Sequence, residues 1–485
     1  MPNGIITEER FLYLRIEAVN MCPAVTCSPD MGVVEAARLM KERDLTAVIV
    51  ADEETPMGLF STRDLGSFLA DSGAAGARGK LRDNMGDGLI TVGLRDYVFE
   101  AIGKIARHDV SHLGVIEDEG NIVGIITAID LLRLQTRAPL YLYQEIERAQ
   151  SIEQLQAVGN RIFEVVGSAL AANAEIRNIV QLICGFNDAI TLRLITLLER
   201  DEGIRLPAGA AYLVLGSEGR GEQTLRTDQD NALVYNDDLP PEQLNEVKRF
   251  ADRIVEALEA VGVPRCPGNI MASSPQWCHS LTEWYQLVYR WITVPTPEHV
   301  LNFGMFQDLR TLHGDQALCG QLRDHIRATV QRNASFFPNM AYHAVHFPKP
   351  FTLFGRIRVE PSGEHRGQVD LKKSGLFAIT AGTSLLALEA GIIGGNTWEK
   401  LGQLGKLGII SSRDQETIEA AFNYLTRLRL QHQLQELTAD RQPTNHVDPG
   451  TMPDRKRDQF RQALNGVNSF LWIFRDHYNL DYNSI

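Results

Sequence analysis

The chain has 485 residues, 44% apolar and 22% charged, which is too long for a single core and excludes the disordered and fibrous classes. Its formal charge of −13 disfavours broad electrostatic attraction to nucleic acid. Neither a basic-plus-apolar leader pattern nor an unbroken run of about 18 apolar residues is found, so a cytoplasmic protein with no membrane partner is expected. Six cysteines (Cys22, Cys27, Cys184, Cys266, Cys278, Cys319) contain no C-x-x-C pair, which argues against a disulfide framework or a zinc ribbon. Cys266, Cys278 and His279 read as packing residues rather than metal ligands.

An internal repeat opens the chain. Gly58 and Asp64 recur as Gly124 and Asp130, 66 residues on, and Thr26 and Ala36 recur as Thr91 and Ala101, 65 residues on. Each copy reads as a short strand, an amphipathic helix (Val33, Ala36, Ala37, Met40; then Val98, Ala101, Ile102, Ile105), two apolar strands and a second helix. A repeat this regular predicts a stacked pair of small α/β modules.

The closing segments, Gly58-Leu-Phe-Ser-Thr-Arg-Asp64 and Gly124-Ile-Ile-Thr-Ala-Ile-Asp130, resemble those of tandem CBS domains. The resemblance implies an adenine-nucleotide ligand (AMP, ADP or ATP), bound through Ser61 or Thr62 with Asp64, and through Thr127 with Asp130. It also implies a homodimer through the CBS domains. The simpler reading of both aspartates is helix capping, which is compatible with binding.

Residues 136–205 carry helical periodicity (Ile176, Ile179, Val180, Ile183, then Ile190, Leu194, Leu197, Leu198) and predict a helical connector. Residues 210–235 then read as strand, glycine-rich turn, polar segment and strand. Gly216, Gly219 and Gly221 permit sharp bending and close approach to a phosphate. Asp228-Gln-Asp230 follows Ser217 by eleven residues. Residues two apart in extended chain share a face, so both carboxylates meet one site. A carboxylate pair beside a phosphate-binding turn is the minimum apparatus for magnesium-assisted phosphoryl or nucleotidyl transfer.

Gly216-Ser217-Glu218-Gly219-Arg220-Gly221-Glu222 with Thr227-Asp228-Gln229-Asp230 resembles the polymerase-β-like core of PII-uridylyltransferases. It is more similar still to a bacterial signal-transduction family in which such a core follows CBS modules. Arg265-Cys-Pro-Gly-Asn-Ile-Met271, Trp284, Phe306-Gln-Asp-Leu-Arg310 and Gly314-Asp315 fit the same family. The resemblance implies that Asp228 and Asp230 hold Mg2+ or Mn2+ and that Gly216 and Ser217 bind a nucleoside triphosphate. Arg220 steadies phosphate or braces the turn, and Asp308 is the candidate third carboxylate. The alternative for Asp308 is an ion pair with Arg310 or another basic neighbour. Glu222 is read as stabilising the turn.

Beyond residue 340 the pattern is chiefly helical, with Phe460, Ala463, Leu464, Val467, Phe470, Leu471 and Phe474 in one apolar stripe. Ser412 and Gln415 suggest a capping box. In Val369-Asp-Leu-Lys-Lys-Ser-Gly375, Lys372 or Lys373 is either solvated or reaches triphosphate. The fold class expected is multidomain α/β plus α: an N-terminal segment (1–20), a tandem CBS pair (21–135), a helical connector (136–205), a polymerase-β-like nucleotidyltransferase core (206–335) and a helical C-terminal domain (336–485). The function expected is transfer of a nucleoside monophosphate to a protein or small-molecule acceptor, with a PII-like protein among the candidates. A non-catalytic nucleotide sensor is the alternative, and nucleotide addition to RNA is a weaker one.

Overall fold

The computed structural model describes residues 15–19, 21–43, 45–52, 55–72, 79–135, 139–225, 227–333, 335–344, 349–352 and 354–480. Most of the expected N-terminal segment lies outside them. Two compact units result, one ending at Tyr141 and the other starting at Leu142.

In the first unit the repeat becomes two four-stranded sheets. The short strands β1 (Cys22–Pro23) and β2 (Thr26–Cys27) precede helix α1 (Val33–Glu42), β3 (Ala47–Asp52), β4 (Thr55–Ser61) and α2 (Thr62–Ser72). The second copy comprises β5 (Gly86–Asp87), β6 (Thr91–Gly93), α3 (Val98–His108), β7 (His112–Ile116), β8 (Ile122–Thr127) and α4 (Ala128–Gln135). The sheets run β2-β3-β4-β5 and β1-β8-β7-β6, so each takes an edge strand from outside its own repeat.

That edge pairing explains the repeated glycines. Gly58 pairs with Asp87 and Gly124 with Pro23. A Cβ on Gly58 would lie 2.6 Å from the Gly86 carbonyl oxygen, and one on Gly124 would lie 2.9 Å from that of Cys22. α1 buries Val33, Ala36 and Met40 as expected, and α3 buries Val98 and Ala101. Ile102, expected on the core face, is instead 36% exposed. Ala47, Ile49 and Ile125 form an apolar seam between the modules, and Thr46 Oγ1 lies 3.0 Å from His112 Nε2 across the same boundary.

The second unit is built on a mixed sheet of order β11-β10-β9-β12. Its strands are β9 (Ala210–Val214), β10 (Asn231–Tyr235), β11 (Cys278–Ser280) and β12 (Arg310–Gly314). All five β9 residues are buried, because helices cover the sheet. The connector contributes α5 (Ile152–Ala171) and α6 (Ile176–Glu202), and α7 (Pro241–Ala260) follows β10. By length and composition α6 could cross a membrane. It is a core helix here, burying Ile179, Ile183, Phe186, Leu194 and Leu198, and its Asp188 pairs with Arg310.

The C-terminal part is helical: α8 (Phe377–Glu389), α9 (Thr397–Lys406), α10 (Ser412–Thr438) and α11 (Asp454–His477). The stripe Phe460, Ala463, Leu464, Val467, Phe470, Leu471, Phe474 is buried throughout. The cap of α10 falls one residue earlier than the sequence suggested: Ser411 accepts from the Asp414 amide, while Gln415 bonds Glu419. One hydrophobic core joins connector, sheet and C-terminal helices.

Candidate active site

Asp228 and Asp230 sit in extended chain just before β10. Between them Gln229 is turned the other way: its Nε2 donates to the Val255 and Val263 carbonyls, each at 3.1 Å. This alternation brings the two aspartates together on one side. Their carboxylates and the Cys266 thiol have ligand atoms all within 4.8 Å of one another. Asp230 is only 8% exposed, and burial followed by the charge of Asp228 pushes its carboxyl up to about 7. A buried carboxylate and a half-buried one this close repel, and a divalent ion held by both would remove that repulsion. The donor set therefore fits a metal.

The glycine turn borders the pair. Gly216 has φ +52°, and a Cβ there would come 2.6 Å from Met305 Cε and 3.5 Å from Asp230 Oδ2. Gly219 is closer still to its surroundings, since a Cβ would meet the Asp308 carbonyl oxygen at 2.0 Å. Ser217 is half-buried between them. Glu218 was not singled out from the sequence. Desolvation, then the charges of Asp188 and Asp230, push its carboxyl up to about 8, so at neutral pH it holds a proton beside the acidic pair.

Arg220 braces the turn. Its Nε donates to Glu222 Oε2 at 2.9 Å and its Nη1 to Asp308 Oδ2 at 2.7 Å. Glu222 Oε1 accepts the Thr397 amide at the start of α9, where a helix N-terminus favours negative charge. Asp308 takes a second cation, Lys400, from α9. Burial would raise its carboxyl, but Lys400 and Arg220 overcome that and hold it below the usual carboxylate range. Asp308, the candidate third carboxylate, is thus occupied by two cations, and Arg310 is spent on Asp188. Among the described residues the third metal-capable side chain is Cys266, not Asp308.

Asp228 opens onto a cleft of about 870 Å³ lined also by Arg265, Lys372, Arg429, Arg441 and Gln433. Lys372 and Arg429 come from the C-terminal part. Lys372 starts a π-helical turn, Lys372–Leu376, a widening of the helix that often re-aims side chains at functional sites. Its charge acts on Asp230, and that of Asp228 acts on Arg429. Lys373 is 71% exposed and pairs with Asp370. The sequence left the two lysines equal, and the structure brings only Lys372 to the acidic pair.

In the first unit, Ser61 and Thr127, equivalent by the repeat, occupy the same position. Each backbone amide and hydroxyl donates to the Oδ2 of the aspartate three residues on, at 2.7 and 2.7 Å for Ser61–Asp64 and 2.9 and 2.7 Å for Thr127–Asp130. These are capping boxes, with both aspartates in the third helical position rather than at the helix start.

Comparison with known proteins agrees with this architecture. The CBS domain model matches residues 16–71 and 81–137. A model described as "Putative nucleotidyltransferase DUF294" matches residues 160–298, and "Putative nucleotidyltransferase substrate binding domain" matches 334–478. The chain unites two CBS domains with both domains of the DUF294 family. An uncharacterized protein of Methanopyrus kandleri is 28% identical over 26% of this chain and 65% of its own length. Inosine-5'-monophosphate dehydrogenase of Korarchaeum cryptofilum is 30% identical over 24% of this chain and 23% of its own. The chain thus spans less than two thirds of these curated relatives. Among solved structures, a CBS-domain protein of Agrobacterium tumefaciens is 25% identical, covering 23% of this chain and 84% of that one at a TM-score of 0.22. A CBS pair crystallised with 5-methylthioadenosine and S-adenosyl-L-methionine is 21% identical, covering 25% and 95% at 0.23.

The family's further residues serve the scaffold. Trp284 is fully buried, and its Nε1 donates to the Leu233 carbonyl at 2.9 Å. Gly314 lies too close to the Ala210 carbonyl to admit a Cβ, and Asp315 caps the next helix through the Ala317 amide.

Proposed function

We propose that the second unit transfers a nucleoside monophosphate from a nucleoside triphosphate to an acceptor on a protein or small molecule, releasing pyrophosphate. The observation that carries this reading is that Asp228, with Asp230 beside it, shares one cleft with Lys372 and Arg429. The carboxylates suit metal, and the cations suit the oxygens of a polyphosphate. Magnesium or manganese at Asp228 and Asp230 would supply charge stabilisation at the α-phosphate. Lys372 and Arg429 hold the pyrophosphate end, and Gly216 with Ser217 keeps the wall beside the pair thin enough for close approach. The Arg220–Glu222–Asp308–Lys400 cluster locks that turn to α9 and so fixes the geometry of the site.

The first unit, on this reading, binds an adenine nucleotide through Ser61 with Asp64 and Thr127 with Asp130, and its occupancy regulates transfer. Regulation requires the ligand to bind two states of the chain with different affinity. A PII-like protein is one acceptor class, and a homodimer through the CBS domains is the expected assembly.

The test is pyrophosphate release from each nucleoside triphosphate with magnesium, with and without AMP or ATP, in the native chain and in Asp228→Ala/Asp230→Ala. Acceptor-dependent turnover that disappears in the double variant supports the transferase. Tight nucleotide binding without turnover in any acceptor pool replaces it with a nucleotide sensor.

A further inference from the structure

Cys266 is out of place as a packing residue. A buried cysteine usually behaves as a small apolar group, yet this sulfur lies within 4.8 Å of carboxylate oxygens from both Asp228 and Asp230. Burial and the charge of Asp230 push the metal-free thiol up to about 11, so a bound cation is what would draw the proton from the sulfur. The position is also fixed from both sides of the aspartate. The Gln229 amide donates to the Pro264 carbonyl at 3.0 Å, the Asn231 amide to the Ile270 carbonyl at 3.1 Å, and the Ala272 amide to Asn231 Oδ1 at 2.7 Å. The loop carrying Cys266 is thereby stitched to the residues flanking Asp230.

We propose that Asp228, Asp230 and Cys266 form a mixed carboxylate–thiolate site that takes a thiophilic divalent ion, of the zinc or cobalt(II) class, in preference to magnesium. In a tetrahedral site, metal–oxygen and metal–sulfur bonds of about 2.1 and 2.3 Å place neighbouring ligand atoms about 3.6 Å apart, so the three groups, within 4.8 Å of one another, would draw in by up to about 1 Å on binding. Three protein ligands leave a position open for a substrate oxygen, as in zinc sites that do chemistry. Thiolate selects against magnesium, which prefers oxygen. On binding, the metal–sulfur bond forms as the S–H bond breaks, and the proton leaves to solvent. Lys372, in the same cleft, offsets the net negative charge of the loaded site. The inference rests on the acidic pair being a metal site, adds the third ligand, and replaces magnesium in that reading with a thiophilic ion.

The experiment is titration of the chelator-treated full chain with Co2+, read by near-ultraviolet sulfur-to-cobalt charge transfer, in the native protein, Cys266→Ser and Cys266→Ala. Thermal melts of the metal-free proteins confirm that the variants are folded. The native protein shows the band, stoichiometric Zn2+ displaces the cobalt, and both variants lose the band. Cobalt affinity falls by more than the roughly 10–100-fold that loss of an outer-shell partner costs, while Mn2+ affinity changes far less. Cobalt binding without a sulfur band, at an affinity unchanged in Cys266→Ser, overturns the thiolate ligand and leaves the Asp228/Asp230 site standing. Failure to bind cobalt, manganese or magnesium overturns both.

Discussion

Lys400 Nζ lies 2.5 Å from Asp308 Oδ1, and the two side chains are 2% and 3% exposed. A charge pair so fully removed from water is stable only while both members remain. Lys400→Met leaves Asp308 with Arg220 as its one cation beside the Ser384 hydroxyl and is expected to cost about 3–5 kcal/mol, read as a shift of the urea midpoint. Asp308→Asn strands Lys400 and is expected to destabilise similarly while Mn2+ still binds at the acidic pair. A folded Asp308→Asn protein without metal binding would make Asp308 a ligand after all.

Lys372 and Lys373 are neighbours with opposite expectations. Lys372 shares the cleft with Asp228, whereas Lys373 is 71% exposed. Lys372→Ala is expected to weaken binding of a nucleoside triphosphate by roughly tenfold, the loss of one charge-assisted contact of about 1.5 kcal/mol, measured by calorimetry. Lys373→Ala is expected to stay within about twofold, since an exposed ion pair contributes under about 1 kcal/mol.

The elevated carboxyl of Asp230 makes the metal-free site a source of instability. Because its folded position, about 7, lies above the unfolded value of about 3.9, ionisation costs the folded chain stability progressively from about pH 4 and fully above about pH 7. Asp230→Asn is expected to raise the metal-free stability by about 2 kcal/mol and to abolish the further rise in Tm that Mn2+ gives the native protein. An unchanged Mn2+-dependent shift in the variant would remove Asp230 from the metal site.

The parts visible in advance were those governed by local pattern. The 66-residue offset of Gly58/Asp64 and Gly124/Asp130 exposed the stacked modules, and the Asp-x-Asp alternation exposed a shared face at Asp228 and Asp230. What the sequence concealed depends on long-range approach. Asp308 meets Lys400 across 92 residues, so nothing near Asp308 reveals that its oxygens are already taken. Cys266 joins the acidic pair only because its loop runs beside β10, and a cysteine without a nearby partner reads as packing. Lys372 and Lys373 share one π-helical turn, and only the side each takes, which composition does not announce, sends Lys372 to the cleft and Lys373 to solvent. The displaced cap at Ser411 has a simpler origin: three consecutive polar residues, Ser411, Ser412 and Arg413, offer more than one register for the helix start.

Gly216 and Gly219 are expected to differ in how they fail. An alanine at Gly219 would drive its Cβ to 2.0 Å from a backbone oxygen, that of Asp308, which cannot swing away. Gly219→Ala is therefore expected to destabilise by at least about 2 kcal/mol. At Gly216 the nearest atom is the tip of the flexible Met305 side chain, at 2.6 Å, so the main penalty is the left-handed backbone, about 1 kcal/mol. The displaced Met305 and the added methyl crowd Asp230. Gly216→Ala is expected to remain folded and to lose nucleotide affinity disproportionately to its small drop in Tm.

His112 supplies a pH dependence that belongs to the first unit. Burial lowers its imidazole below the ordinary value of 6.5, partly opposed by Asp130 and Asp64, and its Nε2 is engaged with Thr46 Oγ1 between the modules. Because the folded chain resists protonation that the unfolded chain accepts, stability is fully present above about pH 6.5 and falls as pH drops toward the lowered folded value. The slope is expected to flatten in His112→Gln, whose amide still reaches the threonine but does not titrate. Thermal melts of both proteins between about pH 5 and 8 decide the matter. Parallel curves would place the acid sensitivity elsewhere, whereas a native curve that alone falls below about pH 6.5 would tie the joint between the CBS modules to one imidazole.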